Sequence, residues 1–167
     1  MNQGVFFFLV AGAFVVGFFV VMLPLVAFAN RAIGARHDER ARAIAPYLHA
    51  EGIRFAEDDV RVRSSWVAPL AFAVQWTRAE VRVTTRAVYL LQSTRMFGMR
   101  IAKPILAFPL RGAVLDPAVA ASVSVGWLST YPQESNGAAT LTGGLGVQRC
   151  TLRVAVRDLR GFLAATA

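Results

Sequence analysis

One apolar helix ahead of a mainly-β domain is the fold class this sequence predicts, and three observations predict it. Residues 5–29 read VFFFLVAGAFVVGFFVVMLPLVAFA without a single charge. From Val60 the apolar positions stop recurring at helical spacing and begin to alternate, as in a half-buried strand. The chain then closes on RDLRGFLAA, where Leu159, Phe162 and Leu163 return to one helical face.

The uncharged run comes first. As a helix it spans roughly 37 Å, more than the ~30 Å of a bilayer core, so residues 1–30 are expected to form a single transmembrane anchor. Residues 1–4 carry no Lys or Arg, whereas Arg31, Arg36, Arg40 and Arg42 follow the run. This bias predicts an N-terminus outside and a C-terminal domain in the cytoplasm. Ala27-Phe28-Ala29 resembles a signal-peptide cleavage site, but the positive n-region is missing and the apolar core is too long for that class. Within the run, Gly12, Ala13 and Gly17 make a small-residue groove among seven phenylalanines, which predicts close packing against another helix.

Residues 31–53 read as a juxtamembrane helical connector. Ile33, Ile44 and Leu48 fall at helical spacing, Pro46 is expected to break the helix into two pieces, and Gly52 to stop it. Glu57-Asp58-Asp59 reads as a turn. The remaining domain, 54–167, carries strand candidates at 60–66, 69–76, 80–84, 87–91, 105–110, 122–128 and 148–156. Asn136-Gly137 and Gly143-Gly144 punctuate what reads as a long loop before the last strand. Asp158 is placed to cap the final helix. Short strands at close intervals predict an antiparallel sheet or barrel.

The segments VRVTTRAVYLL (81–91), AFPLRGAVLD (107–116) and CTLRVAVRDLRGFLAA (150–165) carry a resemblance to the bacterial pleckstrin-homology-like fold. They are similar to its strand–TxR–strand hairpin, its mid-domain strand and its final strand–helix pair. The resemblance implies a barrel or sandwich closed by a C-terminal helix. Many members carry a tryptophan in that helix, a place Phe162 takes here.

The chain has 18 Lys+Arg against 10 Asp+Glu, and Lys103 is the only lysine. Arginine-rich usage with abundant Ala, Val and Gly fits a GC-rich bacterial genome. The net charge of +8 suits anionic headgroups or an acidic partner, while the absence of a recognised motif argues against nucleic acid. Cys150 excludes an internal disulfide and sits in an alternating run, where it reads as a small core residue. His37 and His49 lack metal-ligand spacing and read as solvated or interfacial. The Glu57-Asp58-Asp59 run lacks the alternating ligands of a calcium loop. TGGLG at 142–146 lacks phosphate-loop spacing. No catalytic residue, cofactor, metal or small-molecule substrate is therefore expected, and the chain reads as a non-enzyme.

Surfaces remain as candidates. Arg95, Met96, Phe97, Arg100 and Lys103 interleave charge with apolar bulk, and with Arg31, Arg36, Arg40 and Arg42 they form the expected membrane-surface or partner contact. The expected function is that of a single-pass accessory subunit stabilising a bacterial inner-membrane complex, its partners being lipids and other transmembrane subunits. In layout, though not in sequence, this resembles the H subunit of purple-bacterial reaction centres, so a photosynthetic or respiratory host is expected. The other reading is a membrane-tethered module binding anionic lipid or a peptide.

Overall fold

The computed structural model describes the backbone of residues 3–66, 75–96 and 99–167. Side chains are described from residue 11 onward, apart from positions 23, 26, 29, 30, 33, 66, 75, 76, 94–96 and 99–102. The long helix α1 (Gln3–Ala50) is followed by strands β1 (Ile53–Trp66), β2 (Gln75–Thr84), β3 (Ala87–Met96) and β4 (Met99–Pro109). A short helix α2 (Pro117–Ser122) leads to β5 (Ser124–Leu128), β6 (Gln133–Ser135), β7 (Ala138–Leu145) and β8 (Gln148–Ala155), and α3 (Leu159–Thr166) ends the chain.

Strands β4, β3, β2, β1, β8 and β7 form a continuous antiparallel ladder, with β6 paired to the far side of β7. Strand β5 bridges the gap: it runs parallel to β4 and antiparallel to β7. The result is a closed seven-stranded barrel. The parallel pair departs from the expected all-antiparallel pattern because α2 supplies a crossover, and a parallel neighbour cannot be reached by a tight turn.

Inside the barrel, Val60, Val62, Val81, Val83, Val88, Leu90, Leu106, Phe108, Leu141, Leu152 and Val154 make one core, sealed at one end by Phe162 of α3. Phe162 meets Phe55 edge to face, with ring centroids 5.5 Å apart. The Asp158 carboxylate accepts from the Gly161 amide at 2.8 Å, satisfying an orphan donor of α3. A second cluster lies outside the barrel wall. There Ile44 and Leu48 of α1 pack with Tyr89, Ile105, Ala107, Leu115 and Val119.

Several expectations are corrected here. The fold class is a mainly-β closed barrel with a few helices; among the described residues no helix is long and apolar enough to cross a membrane. The uncharged residues 5–29 occupy only part of α1, a single helix that runs on to Ala50. Beyond them the same helix carries Arg31, Arg36, Asp38, Glu39, Arg40 and Arg42. The transmembrane element, the bacterial inner-membrane location and the outside-to-cytoplasm orientation are therefore not supported.

Pro46 does not divide the helix: α1 continues through both Pro24 and Pro46. Pro46 and Arg42 are both exposed, so the Arg42 carbonyl that loses its amide partner faces water, while Ile44 and Leu48 hold the helix on the barrel. Gly52, at φ +76°, is where the chain leaves the helix. Glu57-Asp58-Asp59 lies within β1 as a bulge, with Asp59 at φ +59° and a register shift against β2. The long loop read around 136–146 is instead the β6–β7 hairpin and the full length of β7. Residues 67–74, which hold most of the strand expected over 69–76, lie outside the described residues.

Candidate functional site

Along 14–21 of α1, Phe14, Val15, Val16, Phe18, Phe19, Val20 and Val21 are all exposed, Phe14 at 77%, and Phe28 further on reaches 75%. Successive helical residues point about 100° apart, so this exposure covers the whole circumference rather than one stripe. Apolar surface of this extent is rare on a free monomer and marks a surface that something else covers. Gly12, Ala13 and Gly17 lie within it, and a β-carbon added at either glycine would meet nothing within 4 Å. The small-residue groove is therefore unoccupied by any described part of this chain.

The other half of α1 is fastened to the barrel. Its inner face carries His37, Ala41, Ile44 and Leu48 at helical spacing, of which His37, Ile44 and Leu48 are buried. His37 is 7% exposed, and neither ring nitrogen has a hydrogen-bond partner among the described residues. This corrects the solvated reading for His37; His49 is exposed.

At the helix end, Glu51 ties three side chains together. Thr84 Oγ1 donates to its carboxylate at 2.8 Å, Tyr89 OH donates at 3.2 Å, and Thr85 Oγ1 donates to its backbone carbonyl at 2.8 Å. Thr84 Oγ1 also accepts from the Ala87 and Arg86 amides at 3.1 and 3.2 Å, which shapes the β2–β3 turn. One threonine thus sets the hairpin and the seat of α1 together.

Burial, and next the Glu51 carboxylate, push the Tyr89 phenol well above its ordinary value. In the unfolded chain the phenol titrates near its usual value of about 10. Stability from this group is therefore intact below about pH 10 and declines above it, because the unfolded ensemble releases its proton first. Tyr89→Phe is expected to cost about 1.5 kcal/mol at neutral pH, from a lost hydrogen bond to a carboxylate. The variant should also flatten the decline between pH 9 and 11, read by urea denaturation across that range. An unchanged pH slope would show that Tyr89 is not the group responsible.

The predicted basic contacts divide. Arg31, Arg36, Arg40 and Arg42 are exposed on α1, where Arg42 Nε donates to the Asp38 carbonyl at 3.3 Å. Arg95, Met96 and Arg100 are not in a loop but at the β3–β4 hairpin end, with Arg95 opposite Arg100 and Met96 opposite Met99. Their side chains, and Phe97 altogether, lie outside the described residues. Lys103 is half-buried on β4, and burial pushes its amine below the usual lysine range.

The acidic run of β1 is occupied by the chain itself. Asp59 pairs with Arg78, Asp58 with Arg82 at 2.6 Å, and the Glu57 carboxylate accepts from the Arg157 amide at 3.0 Å. These contacts hold the bulge against β2 and the start of α3. Among the described residues no cluster of His, Cys, Asp or Glu has the arrangement of a metal site. Cys150 is buried in the barrel, and burial raises its thiol, the opposite of what an activated nucleophile needs.

The glycine-rich closure of the barrel escaped sequence reading. A β-carbon at Gly126 would lie 2.5 Å from Phe108 Cε1, and one at Gly143 would overlap the Trp127 carbonyl oxygen. The Trp127 indole lies over Gly144 and donates from Nε1 to the Gly146 carbonyl at 3.2 Å. A glycine inside a strand often marks close backbone approach, and that was the available signal.

Comparison of the chain with protein-family models, with curated proteins and with solved structures gives no match.

Proposed function

We propose that this protein is a non-catalytic accessory subunit of a multi-protein assembly, with α1 as its docking element and the barrel as a brace. The exposure of Phe14, Phe18, Phe19, Leu25 and Phe28 around α1 carries this reading, because such a surface is stable only when covered. The occupant is one or more apolar helices of partner subunits. Open space at Gly12 and Gly17 supports a helical partner, since small residues let helix backbones approach closely. The clamp at Glu51 makes α1 and the barrel move together, so a partner held by the helix also fixes the barrel. We read the barrel as pleckstrin-homology-like; its closed wall and C-terminal helix support this, and the parallel β4–β5 pair is a departure.

Gly17→Leu tests the docking role, because the new side chain meets nothing within its own chain. Native electrophoresis of extracts is expected to place the wild-type protein in one stable assembly of fixed stoichiometry. The variant should leave that assembly while keeping the thermal midpoint of the isolated protein. A wild-type chain that migrates alone, that associates only with phospholipid vesicles, or whose assembly survives Gly17→Leu would overturn the reading.

A further inference from the structure

Helix α1 packs on β3 and β4, on a different side of the barrel from the wall made by β1, β8 and β7. Inward residues of that wall, among them Val62, Leu141, Leu152 and Val154, are buried, and alternation turns the residues between them outward. On β1 these are Arg61, Arg63 and Ser65, and on β8 they are Arg149, Thr151 and Arg153. Register places Arg63 directly opposite Arg153, Ser65 opposite Thr151, and Thr151 opposite Thr142 of β7. Arg61, Ser65, Thr142 and Arg149 are exposed, so the chain itself leaves this face open.

Like charges directly opposite one another weaken a sheet, yet the pattern repeats here, since Arg61 also stands opposite Arg78 of β2. At Arg78 the chain supplies the counter-charge itself, from Asp59. It supplies none to Arg61, Arg149 or Arg153, which make no ion pair among the described residues. Strands β7 and β8 contain no Asp or Glu, and β1 contains none after Asp59. Arg153 is nonetheless held in place, because its Nη2 donates to the Ser135 carbonyl at 3.1 Å.

We infer that this wall is the docking surface for an extended, acidic segment of another protein chain. Alternate residues of a strand stand about 6.7 Å apart, so Arg61 and Arg63 repeat at the interval at which an extended peptide carries alternate carboxylates. Guanidinium matches a carboxylate with two parallel hydrogen bonds, and the hydroxyls of Ser65, Thr151 and Thr142 add short donors beside it. Single-stranded nucleic acid fits less well, because it is held by aromatic platforms between the cations, and no described outward residue of β1, β8 or β7 is aromatic. A bilayer surface is gripped by bulky apolar side chains among the cations, and these too are missing from the described face. The inference does not rest on the docking role of α1: it concerns another wall of the barrel and charge instead of apolar bulk.

The probe is a labelled peptide of alternating glutamate and serine, about ten residues long so that it spans the face. It is titrated into the full chain by fluorescence anisotropy, with the glutamine–serine peptide as its neutral counterpart. Saturable binding is expected at low salt, weakening as salt rises, and at least about tenfold tighter than that of the neutral peptide. The double variant Arg61→Glu, Arg149→Glu should weaken it by at least about tenfold, since each exposed pair contributes up to about fivefold and repulsion is added. Both side chains are exposed, and the thermal midpoint reports that the variant folds. Arg36→Glu with Arg40→Glu makes the same change of net charge on exposed positions of α1, and should weaken binding by less than about twofold. In the wild-type chain, the amide signals that shift on titration should be those of residues 61–65, 140–142 and 149–153, a reading that needs no variant. Absence of saturable binding, shifts centred elsewhere, or equal losses in the two double variants would each overturn the assignment. So would tighter binding of a single-stranded oligonucleotide or of phosphatidylserine vesicles that the Arg61 and Arg149 substitutions abolish.

Discussion

Phe162→Ala is expected to destabilise the protein by about 3–5 kcal/mol, a large share of the 5–15 kcal/mol typical of a domain. Phe162 is fully buried and is the largest buried side chain of α3. Truncation removes its transfer free energy and leaves a cavity beneath a helix of only eight residues. So short a helix has little stability of its own and is held by packing, so its order should fail with the ring. Urea denaturation should show a lower midpoint with a similar slope, and the thermal midpoint should drop by roughly 10 °C or more. Phe162→Leu, which keeps most of the apolar volume, should cost less than half as much. A loss below about 1 kcal/mol for the alanine variant would mean that α3 is not the plug of the barrel.

Gly143→Ala should have the second large effect, and through a different cause. The added carbon would overlap the Trp127 carbonyl oxygen and press on the Leu128 backbone, neither of which can rotate away like a side-chain tip. Gly143 pairs with Leu128, so relief requires β5 and β7 to part, and they form the only described antiparallel contact that closes the barrel on β5. Overpacking of this kind costs about 1–3 kcal/mol, with the lost strand hydrogen bonds in addition. Hydrogen exchange should quicken selectively at residues 126–128 and 143–145. Gly34→Ala makes the same chemical change on α1 with nothing within 4 Å, and should cause no loss. Equal stability of the two variants would show that the seam tolerates a side chain.

Both predictions fall where sequence and structure part company in an instructive way. Alternation at Val60–Val62 and Val81–Val83 was legible because a strand half-buried in a core has a period of two, whatever it pairs with. The cap of α3 was legible for the same local reason: Asp158 reaches an amide three residues away. Strand β7 was not. Its Gly143-Gly144 pair has the composition of a turn, and only the approach of Trp127 from β5 explains glycine in mid-strand. Pro46 likewise reads as a helix break until Ile44 and Leu48 are seen seated on β3 and β4. The polar-lined cavity was invisible, since Ser64, Gln92, Lys103 and Ser124 are brought together from four separate strands.

What the chain determined by itself is therefore what depends on near neighbours: strand period, the β2–β3 turn at Thr85-Arg86, the cap at Asp158, and the apolar character of α1 around Phe14 and Phe18. Tertiary structure alone decided the closure of the barrel through β5 and β7, the unbroken course of α1, the burial of His37 and the polar-lined cavity. The division has a physical reason. Local hydrogen bonding and side-chain period act over a few residues, whereas closure is settled by backbone approach between segments such as 126–128 and 143–145, where the absence of a β-carbon acquires meaning only when the facing strand is known.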